Sequence, residues 1–436
     1  MKVLVIGSGG REHAIVWKLA QSKDIEQIWC APGNAGIAQE RLSSNSQPVK
    51  CVTISAEDLD GLLSFAKSEK PDLTVVGPDN PLAMGIVDLF SAAGFSIWGP
   101  TKQAAKFEAS KAFSQQFMAR YNIPSAKSGI FTNVDLARSF VAGLNGKCAV
   151  KADGLALGKG VIICHNIDEA IEAIDRIMIK KEFGSAGDRI VIQELLEGTE
   201  VSLHAICDGK SALLFPASQD HKRAFDNDEG PNTGGMGAIC PCPFVDKEAL
   251  QNVKQIIIDR WLNGCKNENI DYKGILYPGV MLTSDGPKVL EFNARFGDPE
   301  TQVYLPLLEN DLLELIELCC EGKLAQKSLN WKPMTCVCVI LSSAGYPGKY
   351  EKGKTIYGID LAEKLENVKV FHAGTAYYDG KFITNGGRVL GVTAWADNLN
   401  AAQKLAYQAV EMIKFDGMQY RRDIGQKAIK FLSELK

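Results

Sequence analysis

The chain has 436 residues, of which 46% are hydrophobic and 23% charged, and a formal net charge of −4. That balance belongs to a soluble globular protein of about three domains, and it argues against a nucleic-acid surface as the main function. No apolar run reaches the roughly 18 residues that a membrane-spanning helix needs.

From Met1 to Pro100, β-rich runs at Val3–Ile6, Ile25–Cys30, Val49–Ile54, Leu73–Val76 and Ser96–Trp98 alternate with helical periodicity over Glu12–Ala20, Leu59–Lys67 and Leu82–Ala93. Such alternation predicts a doubly wound parallel sheet, with the loops Gly7–Arg11, Ala31–Gly36 and Gly77–Pro81 gathered at its ligand-binding edge. Met1–Gly7 enters a strand without a signal-peptide pattern, so a cytoplasmic protein is expected.

A long helix is expected over Lys102–Tyr121, closed by Asn122-Ile123-Pro124. A smaller α+β unit follows: strand Cys148–Lys151, a glycine-rich turn Asp153–Gly160, strand Val161–Cys164, helix Ile167–Lys181 and strand Ile190–Glu194. Next come an antiparallel series over Val201–Phe215, a Gly/Pro-rich loop at Asp226–Pro243 and helix Lys247–Asn269. Strands Gly274–Thr283 and Val289–Phe292 and helices Thr301–Leu308 and Asp311–Glu321 complete the middle region. After a boundary near Lys323–Pro333, strands Thr335–Leu341 and Val389–Ala396, helix Leu399–Met412 and a helix from Arg422 form the last segment. The expected fold is therefore α/β and α+β multidomain, divided as 1–100, 101–325 (with a subdomain at about 124–195) and 330–436.

Twelve cysteines lie in apolar segments with no Cys-x-x-Cys pair, which reads as reduced core thiols. The chemistry is concentrated elsewhere. In Lys-Val-Leu-Glu-Phe-Asn-Ala-Arg-Phe-Gly-Asp-Pro-Glu, residues 288–300, period-two alternation puts Glu291 and Asn293 on one strand face, where their oxygens suit a hard cation such as Mg²⁺. Arg295 follows within reach of an anion, and Asp298-Pro299 imposes a turn or a helix start. A solvated strand exit is the bland alternative.

Lys151 stands before a turn containing Gly154, Gly158, Lys159 and Gly160, where glycines let backbone N–H groups approach phosphate and lysines neutralise it. The Walker A spacing is absent. Around Glu194, Leu195 and Leu196, backbone groups can read an adenine edge, with Glu197 or Glu200 accepting from ribose hydroxyls; a solvated acidic turn is the competing reading. Asp220, His221, Lys222 and Arg223, followed by the loop Gly230–Gly237 with Asn232, Gly234 and Gly235, form a basic cluster and a segment that can fold over an anionic substrate. Gly7-Ser8-Gly9-Gly10-Arg11-Glu12 is a poor dinucleotide fingerprint, because Glu12 replaces the third glycine; a phosphate nest with Arg11 supplying charge fits better.

Together and in this order, with Lys111 in Ala-Ser-Lys-Ala-Phe and Arg388 in Thr-Asn-Gly-Gly-Arg, these segments resemble the phosphoribosylamine–glycine ligase family of ATP-grasp enzymes over nearly the whole chain. The resemblance implies a central ATP-grasp domain and a ligase that joins glycine to 5-phosphoribosylamine in purine synthesis, using ATP with Mg²⁺, or Mn²⁺ in its place, through a glycyl phosphate. It implies that Glu291 and Asn293 hold the metal, that Lys111 and Lys151 contact the nucleotide phosphates, that Gly154–Gly160 covers them, and that Glu194–Glu200 clasps adenosine. Arg295 and Asp298 would flank the reacting groups. Gly9, Gly10, Asn34, Gly36, Asp79 and Arg388 would serve the phosphoribosylamine side, and a monomer acting on small molecules is expected.

Two departures from the family pattern stand out, Asp79 for the usual glutamate and Leu157 for an alanine in the turn; the second acid that many ATP-grasp ligases place on the preceding strand is also missing from Leu276–Met281. The competing readings are another ATP-grasp ligase, a nicotinamide-dependent oxidoreductase, and a non-catalytic nucleotide-binding protein. The segments Asp220–Arg223 and Gly230–Gly237 favour the glycine ligase over the first, and Glu12 with Cys30-Ala31-Pro32 counts against the second.

Overall fold

The structure, a computed structural model, describes residues 1–155 and 160–435. Its first region is a parallel sheet of five strands in the spatial order Lys50–Cys51, Gln27–Pro32, Lys2–Gly7, Leu73–Val76, Ile97–Trp98. Val3, Leu4, Val5 and Ile6 are fully buried, as a strand covered by helices on both faces requires. Strand order reverses between Lys2–Gly7 and Leu73–Val76, so the loops after Gly7 and Val76 open the crevice where such sheets take ligands. The Gly33 N–H donates to the Gly7 carbonyl and the Gly77 N–H to the Ile6 carbonyl, both at 3.0 Å, which brings the three expected loops together.

Two expected helices are broken. Leu82–Ala93 is two helices, Asp79–Met84 and Ile86–Ala92, separated by Gly85 at φ +100°, a conformation that glycine alone adopts cheaply. Lys102–Tyr121 is likewise Lys106–Ala109 and Lys111–Arg120, with Ser110 extended between them and its Oγ accepting from the Phe113 N–H. Local hydrogen bonding by a serine thus overrides the apolar periodicity, and it puts Lys111 at the head of a new helix.

A four-stranded antiparallel sheet follows, ordered Ser128–Phe131, Ile190–Glu194, Cys148–Ala152, Val161–Cys164. Its first strand, and helix Val134–Gly143, occupy a stretch to which the sequence pattern assigned no element. Across from it, Lys273–Thr283 pairs with Thr199–Ser202, with Ala205–Asp208 and with Gly286–Asn293. In that last pairing Glu291 faces Gly279 and Asn293 faces Tyr277.

The expected loop Asp226–Pro243 is in part sheet. Arg223–Phe225 and Glu229–Asn232 make a hairpin, and Gly237–Cys240 lies between Gln219–Asp220 and Thr335–Ser343 in a six-stranded sheet that continues through Arg388–Ala396 to Val368–His372. That sheet crosses the boundary drawn near 325–330, because Gly-Ala-Ile-Cys is too short to read as a strand until its distant partner is in place. The last region is also fastened to the first. The His372 N–H donates to His13 Nδ1 at 2.7 Å, His13 Nε2 lies 2.9 Å from Glu40 Oε1, and Lys369 Nζ lies 2.7 Å from the same oxygen. No helix among the described residues is long and apolar enough to cross a membrane.

Candidate functional site

The two antiparallel sheets enclose a cleft lined by Lys111, Lys151, Glu291, Asn293 and Arg295, together with Asp79 and Glu108. Strand alternation turns Glu291 and Asn293 to the same side, as their spacing predicts. Burial pushes the Glu291 carboxyl up, but Lys222, Lys151, Lys111 and Arg295 outweigh it and hold the group below the usual carboxylate range. Burial, with Lys111 and Lys222 adding to it, brings Lys151 down to about 8. Lys151 Nζ donates to the Leu290 carbonyl and Lys111 Nζ to the Gly154 carbonyl, each at 3.0 Å. Lys222 is paired with Glu200 and Arg295 with Glu108, so Lys111 and Lys151, held by backbone carbonyls, are the cations left to meet a polyphosphate.

Arg295 is set by Glu108, 2.8 Å away, which also accepts from the Ala294 N–H at 2.8 Å. Burial pushes the Glu108 carboxyl up in spite of Arg295. The sequence pattern names no role for Glu108, which lies on the short helix Lys106–Ala109, across the extended Ser110 from Lys111. Asn293 Oδ1 accepts from Arg295 Nη2 at 3.2 Å, and Asn293 Nδ2 donates to the Tyr277 carbonyl at 3.3 Å, so its oxygen is turned into the cleft. Among the described residues no group of three His, Cys, Asp or Glu gathers as a metal cage. One carboxylate and one amide oxygen still suit Mg²⁺, which takes its remaining ligands from phosphate and water.

At the end of strand Ile190–Glu194, the Glu194 N–H donates to the Lys127 carbonyl at 2.9 Å and the Leu195 N–H to the Lys147 carbonyl at 3.2 Å. Glu194 Oε1 accepts from the Lys127 N–H at 2.8 Å. Of the backbone donors expected to read adenine, that of Leu196 is left free among the described residues. Glu197 is exposed, and Glu200 is ion-paired with Lys222. Gly160 closes the phosphate turn by accepting from the Ala152 N–H at 2.8 Å. Gly158, Lys159 and Leu157 lie outside the described residues.

A second centre forms where all three regions meet. Arg388 Nη1 donates to the carbonyls of Asp298 and Gly234, each at 2.7 Å. Gln302 Nε2 donates to Asp298 Oδ1 at 2.8 Å. Burial pushes the Asp298 carboxyl up, and Arg388 and Arg11 bring it below its ordinary value. Gly9 and Gly10 pack here: a Cβ on Gly10 would lie 2.6 Å from Gln302 Nε2, and one on Gly9 would lie 3.4 Å from Asp298 Oδ2. Asp220 abuts Gly235, its Oδ1 buried without a partner, and burial together with Glu300 pushes its carboxyl well up.

Several residues chosen from the sequence have structural work to do. His221 is buried with Nδ1 3.2 Å from the Gly237 carbonyl, while its Nε2 accepts from the Gly425 N–H at 3.1 Å; burial and Arg421 bring it to about 4. A neutral ring spent at both nitrogens fastens the 220–237 segment and has none left for a ligand. Arg223 Nη1 donates to the Gly230 carbonyl at 2.7 Å within its hairpin, and Asn232 is exposed opposite it. Arg11 is buried against Glu12, donates to the Phe296 carbonyl at 3.1 Å and supplies no nest charge, while Glu12 Oε2 takes the Gly9 N–H at 2.6 Å. Asn34 is fully engaged: Nδ2 donates to the Ser8 and His372 carbonyls at 2.8 Å, and Oδ1 accepts from the Gly36 and Ile37 N–H groups at 2.9 Å. Gly36 leaves room for the His372 ring. Asp79 lines the nucleotide cleft beside Arg295 rather than the three-region junction.

A cleft between two antiparallel sheets, charged for a polyphosphate and opening beside a second polar centre, is the arrangement of an ATP-grasp ligase. Family models describe the chain as the phosphoribosylglycinamide synthetase N domain over residues 1–108, its ATP-grasp (A) domain over 109–301 and its C domain over 336–427. The chain belongs to the phosphoribosylglycinamide synthetase family. It is 48% identical over 424 residues to the phosphoribosylamine–glycine ligase of Caldanaerobacter subterraneus subsp. tengcongensis, covering 97% of this chain and 99% of that one. It is 48% identical to the human trifunctional purine biosynthetic protein adenosine-3 over 99% of this chain and 42% of that longer protein. The crystal structure of phosphoribosylamine–glycine ligase from Thermotoga maritima superposes with a TM-score of 0.83 at 31% identity, over 97% of this chain and 100% of that one.

Proposed function

We propose that this protein joins glycine to 5-phosphoribosylamine with ATP, giving glycinamide ribonucleotide, ADP and phosphate in purine biosynthesis. The observation that carries this reading is the meeting in one cleft of Lys111 and Lys151, each donating to a backbone carbonyl, with Glu291 and Asn293. Such a site stabilises the negative charge that builds up in phosphoryl transfer.

The glycine carboxylate attacks the γ-phosphate, and the glycyl phosphate so formed is attacked by the ribosylamine nitrogen with loss of phosphate. Lys111 and Lys151 orient the phosphates, and the backbone at Leu196 receives the adenine edge. Arg295, braced by Glu108, neutralises charge on the transferring group. Glu291 and Asn293 would hold Mg²⁺, and Mn²⁺ meets the same oxygen donors; the ion would offset phosphate charge. Asp298 and Arg388 align the carboxylate and the phosphoribosylamine at the junction. Twelve free thiols fit the reducing cytoplasm.

Glycine labelled with ¹⁸O in its carboxylate tests the chemistry: label is expected in the released phosphate when ATP and phosphoribosylamine are present. Unlabelled phosphate would exclude the acyl phosphate, and phosphate release independent of glycine would exclude the ligase reading.

A further inference from the structure

Asp153 directly follows the strand Cys148–Ala152 that carries Lys151, and its side chain is only 3% exposed. Its Oδ1 accepts from Ser110 Oγ at 3.1 Å and from the Ala112 N–H at 3.0 Å, and its Oδ2 accepts from Arg189 Nε at 2.5 Å. Its own N–H donates to the carbonyls of Ala186 and Arg189, both at 3.0 Å. The residue is thus locked into the four-stranded sheet while its carboxylate reaches out to the head of helix Lys111–Arg120.

Ser110 Oγ caps the Phe113 N–H of that helix, and Asp153 caps the Ala112 N–H from outside it. Both satisfy donors that a helix start leaves unpaired, and a carboxylate is favoured there by the helix dipole. Lys111 lies between the two residues that Asp153 holds, and its Nζ reaches back to the carbonyl of Gly154, next to Asp153. Two adjoining residues of one segment therefore grip three adjoining residues of the other.

We propose that Asp153 is a positioning residue for the nucleotide, acting through Lys111; this rests on the reading that Lys111 contacts the ATP phosphates. Its carboxylate fixes the backbone on either side of Lys111, so that the ammonium can exchange the Gly154 carbonyl for a phosphate oxygen without the helix head shifting. A carboxamide of the same size breaks this arrangement, because one of its two ends donates hydrogen bonds and would confront either Arg189 or the Ser110–Ala112 pair.

Equilibrium binding of the non-hydrolysable ATP analogue AMP-PNP with Mg²⁺ to the full chain tests the proposal in four proteins: wild type, Asp153→Asn, Lys111→Met and the double variant. Asp153→Asn is expected to weaken binding about tenfold, as loss of charge-assisted hydrogen bonds implies. The double variant is expected within about twofold of Lys111→Met alone, because residues acting through one another are not additive. Additive losses, or unchanged affinity in Asp153→Asn beside a lowered Tm, would overturn the proposal and leave a purely structural contact. Should Asp153→Asn not fold, Ser110→Ala cuts one link and is expected to weaken binding about threefold, with unchanged affinity counting against the proposal. Failure of the wild type to bind the analogue would instead overturn the nucleotide reading of the cleft itself.

Discussion

Arg388 and Asp298 meet twice across 90 residues of sequence: Nη1 donates to the Asp298 carbonyl at 2.7 Å, and Nη2 stands 3.3 Å from its carboxylate. The same guanidinium holds the Gly234 carbonyl, so one side chain of the last region aligns both a central carboxylate and the Gly230–Gly237 loop. Arg388→Leu is therefore expected to lower kcat/KM for phosphoribosylamine on the order of a hundredfold, comparable with losing a preorganised donor. AMP-PNP affinity should stay within about twofold of wild type, since changes at separate sites act independently. Steady-state kinetics beside equilibrium binding measure both.

Glu291→Ala should reduce turnover on the order of a hundredfold or more at saturating ATP, and raise the Mg²⁺ concentration needed for half-maximal rate. Metal titrations of the rate check this. A normal rate at limiting Mg²⁺ would remove Glu291 from the metal site.

Lys151 gives a pH dependence with a definite sign. Its pKa near 8 lies below the ordinary lysine value of 10.5, so it is charged below about 8 and neutral above. Phosphate binding needs the charged form, so kcat/KM for ATP is expected to fall as pH rises through 8, because this ratio reports the free enzyme. Lys151→Arg should flatten that limb. In stability the sign is opposite: burying a charged lysine costs free energy, and this cost is relieved between pH 8 and 10.5.

Glu40 has the reverse character. Burial raises its carboxyl, but His13 and Lys369 outweigh that and bring it to about 2, against 4.5 ordinarily. Its contribution to stability is present above pH 4.5 and is lost as pH falls through 2. Glu40→Gln is therefore expected to cost on the order of 2–3 kcal/mol at neutral pH. The deficit should shrink steadily in chemical denaturation curves taken from pH 5 downward.

Much of the geometry of the cleft is legible because strand alternation and glycine-rich turns are local signals. Glu291 and Asn293 share a face as their spacing requires, and Lys151 ends its strand before the turn. What was hidden depended on partners far away in sequence. His221 belongs to a basic cluster when read alone, yet Gly425 claims its Nε2. Asn34 is polar in a ligand-side loop, yet His372 and Ser8 take its amide hydrogens. Ser110 could have signalled a helix break, being a good cap followed by a lysine, but the apolar periodicity on both sides of it argued for continuity. Glu108 and Asp153 escaped notice because their value lies in whom they hold, Arg295 and the Lys111 helix, and no spacing rule reports that.

The strand Gly237–Cys240 lies between Gln219–Asp220, close to it in the chain, and Thr335–Ser343, far beyond it. During synthesis one edge of it must therefore wait for its neighbour. At about 5–20 residues per second, ribosomal elongation leaves that edge open for on the order of ten seconds. The loop just before the strand is thus among the last parts of the molecule to take shape, and the nascent chain carries an unpaired edge through most of its middle region. A truncation before Thr335 would make that transient state permanent, giving a chain prone to edge-to-edge association.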